Sequence, residues 1–146
     1  MTYTIPKTWA AGAILTASEM NTYVRDNTLY LKDNHGFQAL TNPLTSTSWD
    51  GDDTKAVSSN NALDLNAVFG LPTGAKAVLI SVEGYGSGVL WFHTKSGSFK
   101  CVTIRPKGSY DSQQGIVPID TANTIYWTVA VANITFAQMQ IQGYWL

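Results

Sequence analysis

The sequence predicts a mainly β protein, in which an N-terminal amphipathic helix precedes a single antiparallel β-sandwich of jelly-roll-like type. Three observations support this prediction. A capping box precedes a short apolar stripe with helical spacing. The apolar pattern then changes to a period of two, and several β-rich runs follow that are separated by turn residues. The 146 residues of the chain suit one such domain with an appendage.

The charge composition excludes two classes of partner. The 10 acidic and 9 basic side chains nearly cancel, and neither sign forms a run, so we expect no binding to nucleic acid or to an anionic membrane. No stretch has the roughly 18 apolar residues that a membrane span requires, and the first residues do not resemble a signal peptide. Charged residues make up 13% of the chain, against roughly 25% in ordinary soluble domains, which favours an assembled or extracellular surface.

The first predicted element is a helix that begins at Thr16. Thr16 and Glu19 have the spacing of a capping box, in which each side chain accepts a hydrogen bond from the other residue's amide. The Asp-Asn-His-Gly sequence of residues 33–36 predicts the end of this helix. The stripe between these signals consists of Met20, Val24, Asn27 and Leu31, with Tyr23 beside it.

This stripe is too short to form an independent helix, because isolated helices of this length are marginal in water. We therefore expect it to pack against another surface or another copy of the chain. Asn27 has two interpretations: a polar seam residue that fixes the register and oligomeric state of a short coiled coil, or a residue that faces solvent. The sequence leaves both open.

The helical part gives way to a polar segment. Residues 40–61 are rich in Thr, Ser, Asn, Asp and Gly and include Pro43, a composition typical of a linker or of short edge strands with turns. We place the boundary near residues 37–45, which gives an anchor and oligomerisation helix in residues 1–40 and a β-sandwich in residues 41–146.

The remaining elements are predicted as strands. Residues 76–82 and 88–93 flank a glycine-containing segment and predict a hairpin. Further β-rich runs lie at residues 98–105, 124–132 and 134–143. Strict alternation in the last run predicts that one face of it is buried and that its three glutamines face outward. The predicted core positions are Ala137, Met139 and Ile141.

No pattern in the sequence favours catalysis. His35 and His93 are the only histidines, and each lies at the end of a predicted element, away from a recognisable nucleophile. The sequence contains no glycine-rich phosphate loop and no zinc-type cluster. Cys101 is expected to be a half-buried strand thiol. We predict a protein that is not an enzyme and needs no cofactor.

Candidate ligand-binding residues lie in two loops. The carboxylates of Asp50, Asp52 and Asp53 form an acidic turn that lacks the spacing of an EF-hand, so no metal site is assigned to it. Trp49 beside this turn and Tyr110 are predicted to be exposed, and flat aromatic faces next to polar groups suit recognition of sugars. Trp91 and Trp127 are predicted to be buried.

Two stretches of the chain resemble parts of known virion proteins. Residues 8–27 contain a Trp, a Gly, Thr-Ala, an Asn and Arg-Asp-Asn, and they resemble a segment common near the N-termini of tailed-bacteriophage virion proteins. Residues 64–78 and 142–146 look like parts of the β-sandwich domains of phage fibres and related appendages.

The resemblance implies a structural protein of the virion, with other virion proteins as partners. It implies that Trp9 and Ile14 are hydrophobic anchors, and that the stripe through Met20 and Val24 packs three copies into a homotrimer. Host-surface glycan is the candidate ligand. The alternative is a capsid decoration or head-fibre protein without receptor binding. A polysaccharide-degrading spike would require a carboxylate pair, which the spacing of the acidic residues does not identify.

Overall fold

The structure, a computed structural model, describes residues 4–14, 16–34, 36–46, 49, 56–94 and 99–146. The chain divides into two compact units, Met1–Gly36 and Phe37–Leu146. The division therefore falls a few residues before the boundary placed at residue 40.

The first unit contains one helical run in three segments. These are α1 (Ala17–Met20), a π-helical segment (Asn21–Asp26) and α2 (Asn27–Asn34). The predicted capping box is confirmed, because the Glu19 amide donates to Thr16 Oγ1 over 3.2 Å and the Thr16 amide donates to Glu19 Oε2 over 3.1 Å. The predicted end is also confirmed, since the helix stops before Gly36, whose φ of +115° suits glycine.

The apolar stripe of this helix lies open in the first unit. Met20, Val24 and Leu31 are all exposed, so they do not form a covered face of the kind that makes a surface helix amphipathic. The packing of this stripe against another copy stays a prediction.

The described part of the second unit has eight strands and one short helix. The helix is α3 (Leu65–Phe69), and the strands are β1 (Phe37–Thr45), β2 (Ser58–Asp64), β3 (Ala77–Gly86), β4 (Val89–His93), β5 (Lys100–Ile104), β6 (Ser109–Pro118), β7 (Thr124–Val131) and β8 (Ile134–Trp145).

These strands form two four-stranded antiparallel sheets. The first sheet has the order β1-β8-β3-β6 and the second the order β2-β7-β4-β5. With the exception of β4 and β5, which pair with each other in the second sheet, consecutive strands lie in different sheets. The predicted mainly β, antiparallel fold is confirmed. The edge-strand interpretation of the polar segment is confirmed, because β1 and β2 lie at the edges of the two sheets.

One hydrophobic core fills the space between the sheets. Buried and partly exposed residues alternate along β3 and β7, which places one face of each strand in the core. The predicted core face of β8 is confirmed, since Ala137, Met139 and Ile141 are buried. The core residues of β3 and β7 are Val78, Ile80, Val82, Ile125, Trp127 and Val129.

The predicted hairpin between residues 76–82 and 88–93 is wrong. β3 and β4 lie in different sheets, and the glycines between them serve close packing instead of a tight reversal. A Cβ on Gly86 would lie 2.1 Å from the carbonyl oxygen of Asn133, and one on Gly88 would lie 2.4 Å from that of Val131. The chain can cross from one sheet to the other here because no side chain stands in the way.

Helix α3, which no pattern in the sequence predicted, closes one end of the core. The Asp64 carboxylate caps it by accepting from the amides of Asn66 and Ala67, and Gly70 ends it in the left-handed conformation. Leu65 and Phe69 are buried. These caps allow a helix of five residues to connect β2 with the segment that leads to β3.

Candidate functional site

An aromatic row crosses the outer face of the first sheet. Tyr85 on β3 lies opposite Tyr110 on β6 and opposite Phe136 on β8. The ring centroids of Tyr85 and Tyr110 are 5.2 Å apart, and those of Tyr110 and Phe136 are 6.1 Å apart. The three side chains remain 39%, 66% and 36% exposed, respectively. Aromatic side chains this exposed contribute nothing to the core, so they are candidates for ligand contact.

A polar groove of about 130 Å³ lies beside the aromatic row on the same face. Glu83 is opposite Ser112 on one side and Gln138 on the other, and Gln138 Nε2 donates to Glu83 Oε2 over 2.8 Å. Ser81 on β3 and Gln140 on β8, which lie opposite each other, complete the groove on the side away from the aromatic row. Its lining consists of Ser81, Glu83, Ser112, Gln138 and Gln140.

The aromatic row and the polar groove together offer one type of chemistry. Exposed rings provide apolar faces for stacking, and hydroxyl, amide and carboxylate groups provide hydrogen-bond donors and acceptors next to them. This combination suits a polyhydroxylated ligand that also has apolar C–H faces. Glu83 is the one carboxylate among the described residues of the groove, whereas glycoside hydrolysis ordinarily uses two.

A larger cavity of about 280 Å³ lies between the loop before β3 and the loop between β6 and β7. Its two charged groups, those of Asp120 and Lys76, already make hydrogen bonds within these loops. Asp120 accepts from the amides of Ala122 and Thr124 and from the Tyr126 hydroxyl, and Lys76 Nζ donates to the Gly74 carbonyl. The described lining also contains no aromatic ring, so the aromatic row is the better candidate site.

The structure agrees with the predicted exposure of one candidate ligand residue and contradicts that of another. Tyr110 is exposed, as predicted, and lies in the aromatic row. The predicted exposure of Trp49 is wrong, because only 5% of it is exposed. Its ring packs 5.6 Å from that of Phe92 and 6.0 Å from that of Trp127, and core packing of this kind leaves no ring face for a ligand. The acidic turn of Asp50, Asp52 and Asp53 lies outside the described residues.

The two tryptophans that were predicted to be buried differ from each other. Trp127 is buried, as predicted. Trp91 is only partly buried, since it faces outward on β4, and the Lys100 ammonium lies 3.8 Å from its ring centroid. This cation–π contact occupies the ring, which makes Trp91 a less available stacking surface than Tyr110.

His93 and Cys101 are structural residues in this fold. His93 is fully buried, and its Nδ1 lies 2.6 Å from the Thr94 carbonyl oxygen, so that nitrogen must donate. In the neutral ring, Nε2 then accepts from the Thr128 hydroxyl over 2.9 Å. Cys101 is half-buried, as predicted, and burial raises the pKa of its thiol, which makes it less nucleophilic.

The predicted anchor residues lie in the first unit. Trp9 packs edge-on against Tyr23, with ring centroids 6.1 Å apart, and the Lys7 ammonium lies 5.2 Å from the Trp9 ring centroid. Ile14 is strongly exposed. These contacts stabilise the segment before the helix and leave Ile14 available for contact with another molecule.

Asn27 does not face solvent, so that interpretation is wrong. It is 6% exposed, and its amide pairs with the main chain of Thr4 and also donates to the Tyr23 carbonyl oxygen over 3.3 Å. Its hydrogen-bonding groups are therefore satisfied within one copy of the chain. A role in a seam between copies stays a prediction.

Most of the candidate site was missed by sequence reasoning. The alternation of β8 did predict that Gln138 and Gln140 face outward. No sequence signal indicated that Tyr85 and Phe136 meet Tyr110, because the register between β6, β3 and β8 is not readable from spacing.

The described residues contain neither a metal-ligand cluster nor a membrane-spanning helix. No group of three His, Cys, Asp or Glu side chains lies close enough there to hold a metal ion. No described helix is long and apolar enough to cross a bilayer.

Comparisons with known proteins found only distant structural resemblance. No family model and no curated protein sequence matches the chain. A carbohydrate-binding module from Cellvibrio mixtus lichenase 5A, solved with cellotriose, matches at 16% identity over 73% of this chain and 91% of the module, with a TM-score of 0.33. The Tobacco streak virus coat protein matches at 12% identity over 77% of this chain and 83% of its own, with a TM-score of 0.32. Likeness at this level carries no functional inference.

Proposed function

We propose that this protein is a structural protein of a tailed-bacteriophage virion, an oligomeric appendage whose β-sandwich binds host-surface glycans. The observation that carries the glycan-binding role is the aromatic row beside the polar groove on an open sheet face. The place in a virion is supported by the resemblance of residues 8–27 to the N-terminal segments of such proteins.

The first unit supplies the attachment in this proposal. Its exposed large apolar side chains favour burial against neighbouring molecules, because removing apolar surface from water is favourable. Three copies held together by this stripe would present three aromatic rows, and multivalent contact strengthens weak individual binding. The exposed apolar side chains of this unit are Ile5, Trp9, Ile14, Met20, Val24 and Leu31.

The proposed activity is binding without catalysis. The polar groove offers a single carboxylate among its described residues, and His93 is engaged in hydrogen bonds inside the fold. The protein would therefore hold a host polysaccharide without cutting it. A reducing-end assay on host polysaccharide incubated with the protein should show no release of sugar ends.

The proposal is tested on purified particles and on whole cells. Cryo-electron microscopy of virions should find the protein as trimers on a tail appendage, and its absence from particles would overturn the virion role. Soluble protein added before infection should compete for adsorption. The Tyr110→Ala variant should compete poorly, whereas Phe99→Ala, which removes an exposed ring outside the aromatic row, should compete as well as wild type.

The capsid decoration alternative is distinguished by the same images. Many copies on the capsid shell, together with no competition for adsorption, would favour decoration without receptor binding. The exposed apolar residues of the first unit serve attachment to a shell equally well.

A further inference from the structure

We infer that the aromatic row and the polar groove bind a neutral oligosaccharide laid along β3, and that they discriminate against acidic sugars. This inference rests on the proposed glycan-binding function and names the chemical class of ligand at that site. It follows from the contacts that hold the rings, from the hydrogen-bonding groups of the groove and from its charge.

The stacking surface is centred on Tyr110. Its ring is 66% exposed, yet it is held by two neighbours, Tyr85 at 5.2 Å and Phe136 at 6.1 Å between centroids. A ring that is already positioned loses little conformational freedom when a ligand binds. The apolar C–H face of a pyranose ring can therefore stack on Tyr110 without ordering the protein first.

The polar groove offers the mixture of groups that sugar hydroxyls require. The hydrogen bond from Gln138 Nε2 to Glu83 Oε2 orients both head groups and leaves the second carboxylate oxygen of Glu83 to accept from a ligand. In the described part of the chain, the hydroxyls of Ser81 and Ser112 make no hydrogen bond. Each sugar hydroxyl both donates and accepts, so carboxylate, amide and hydroxyl partners can all be used.

The charge of the groove selects against anionic ligands. The described residues that line it include one carboxylate, that of Glu83, and no Lys or Arg. A uronic or sialic acid would bring its carboxylate close to Glu83 with no cation to compensate, and like charges in a partly desolvated site repel. Neutral hexoses and N-acetylhexosamines meet no such penalty.

The length of the site favours a chain of sugars over a single sugar. Tyr85 and Ser81 are four residues apart on β3, which corresponds to roughly 13 Å along an extended strand. A monosaccharide on Tyr110 cannot also reach Gln140 and Ser81 at the far end of the groove, whereas an oligosaccharide can. We therefore expect affinity to rise with chain length.

The experiment is a titration of the whole protein with defined oligosaccharides, by calorimetry and by NMR of the backbone amides. The probes are neutral glucan and N-acetylglucosamine oligomers of increasing length, compared with oligogalacturonate and a sialylated oligosaccharide. We expect the neutral oligomers to bind more tightly as they lengthen and to shift the amides of β3, β6 and β8. The acidic oligomers should bind at least about tenfold more weakly, a difference of roughly 1.4 kcal/mol.

Three variants distinguish a failure of this inference from a failure of the proposed glycan-binding function. Tyr110→Ala should lower the affinity for neutral oligosaccharides by up to roughly tenfold, since an aromatic contact contributes about 0.5–1.5 kcal/mol. Phe99→Ala should bind these oligosaccharides as tightly as the wild type does. Glu83→Gln should narrow the preference for neutral over acidic oligomers. Tighter binding of the acidic probes, or binding insensitive to Tyr110→Ala, would overturn the inference and leave glycan binding standing. Binding of no probe at all would overturn the glycan-binding function itself.

Discussion

Asn27 and Thr4 are joined by two hydrogen bonds that connect a helix to the segment before it. The Thr4 amide donates to Asn27 Oδ1 over 2.9 Å, and Asn27 Nδ2 donates to the Thr4 carbonyl oxygen over 2.6 Å. The side-chain amide thus pairs with a main chain 23 residues away in sequence, as one strand pairs with another. This pair holds the N-terminal segment against the helix.

Replacing Asn27 with Ala should release that segment. The change leaves the partly buried amide and carbonyl of Thr4 without their partner, at a cost of about 1–3 kcal/mol. Hydrogen exchange followed by NMR should show loss of protection at the Thr4 amide. Asn21→Ala, at an exposed position of the same helical run, is the control. Equal protection of Thr4 in both variants would contradict the role assigned to Asn27.

The start of the helix should be sensitive to acid. A hydrogen bond from Lys7, 2.6 Å from Glu19 Oε1, and further hydrogen bonds from Thr16 lower the pKa of Glu19 to about 2. Because the folded pKa lies below the unfolded value of about 4.3, the stabilisation is present above that value and is lost as the pH falls from about 4 to about 2.

NMR titration of the Glu19 carboxyl carbon would measure this pKa directly. The midpoint should lie near 2, and Lys7→Met should raise it toward the ordinary value. The same contact raises the pKa of Lys7, so the contribution of Lys7 is present below its unfolded pKa and is lost in strong base. A Glu19 midpoint near 4 in the wild type would contradict the capping contacts.

The exposed stripe should control the oligomeric state. Replacing both Met20 and Val24 with Asp should convert the predicted trimer to a monomer, because charges buried in a packed seam are costly. Light scattering after size-exclusion chromatography gives the mass, and the near-ultraviolet dichroism of the core tryptophans should stay unchanged. The control is Thr28→Asp, at an exposed polar position of the same helix. An unchanged mass in the double variant would exclude the seam.

The crossing between the two sheets should tolerate no side chain at Gly86. In Gly86→Ala the new methyl group would meet the Asn133 carbonyl oxygen, and φ of +135° is strained for alanine. We expect a loss of about 3 kcal/mol in the free energy of unfolding. Gly108→Ala is the matched control, since Gly108 also has a positive φ but nothing within 4 Å of the new atom. Thermal unfolding of both variants should separate the effect of the steric clash from that of backbone strain. Equal losses of unfolding free energy in the two variants would show that the clash at Gly86 contributes nothing.

Local signals in the sequence were sufficient for much of the fold. The capping box at Thr16, the helix end before Gly36 and the buried face of β8 all depend on neighbours a few residues apart, so their patterns could be read directly. The mainly β architecture followed from the number and spacing of the β-rich runs. The prediction of a hairpin was wrong because glycines that permit a turn and glycines that permit close packing look alike in sequence.

The candidate site was harder to predict because it depends on pairing between distant strands. Tyr85, Tyr110 and Phe136 are brought together by the register of β3 with β6 and β8. Exposure of Tyr110 was predictable from its polar surroundings, whereas the same reasoning failed for Trp49. A residue beside an acidic turn can still point inward, and only the course of the chain decides which way it points.

The pairing of Phe37 with Trp145 has a consequence for how far the binding surface can reach. The chain enters the β unit at Phe37, and Trp145 is also opposite Ala77 at the beginning of β3. Tyr85 is eight residues further along that strand, roughly 26 Å from this point of entry. The β unit therefore has its covalent connection to the first unit at one end of the first sheet and carries the aromatic row near the opposite end of that sheet.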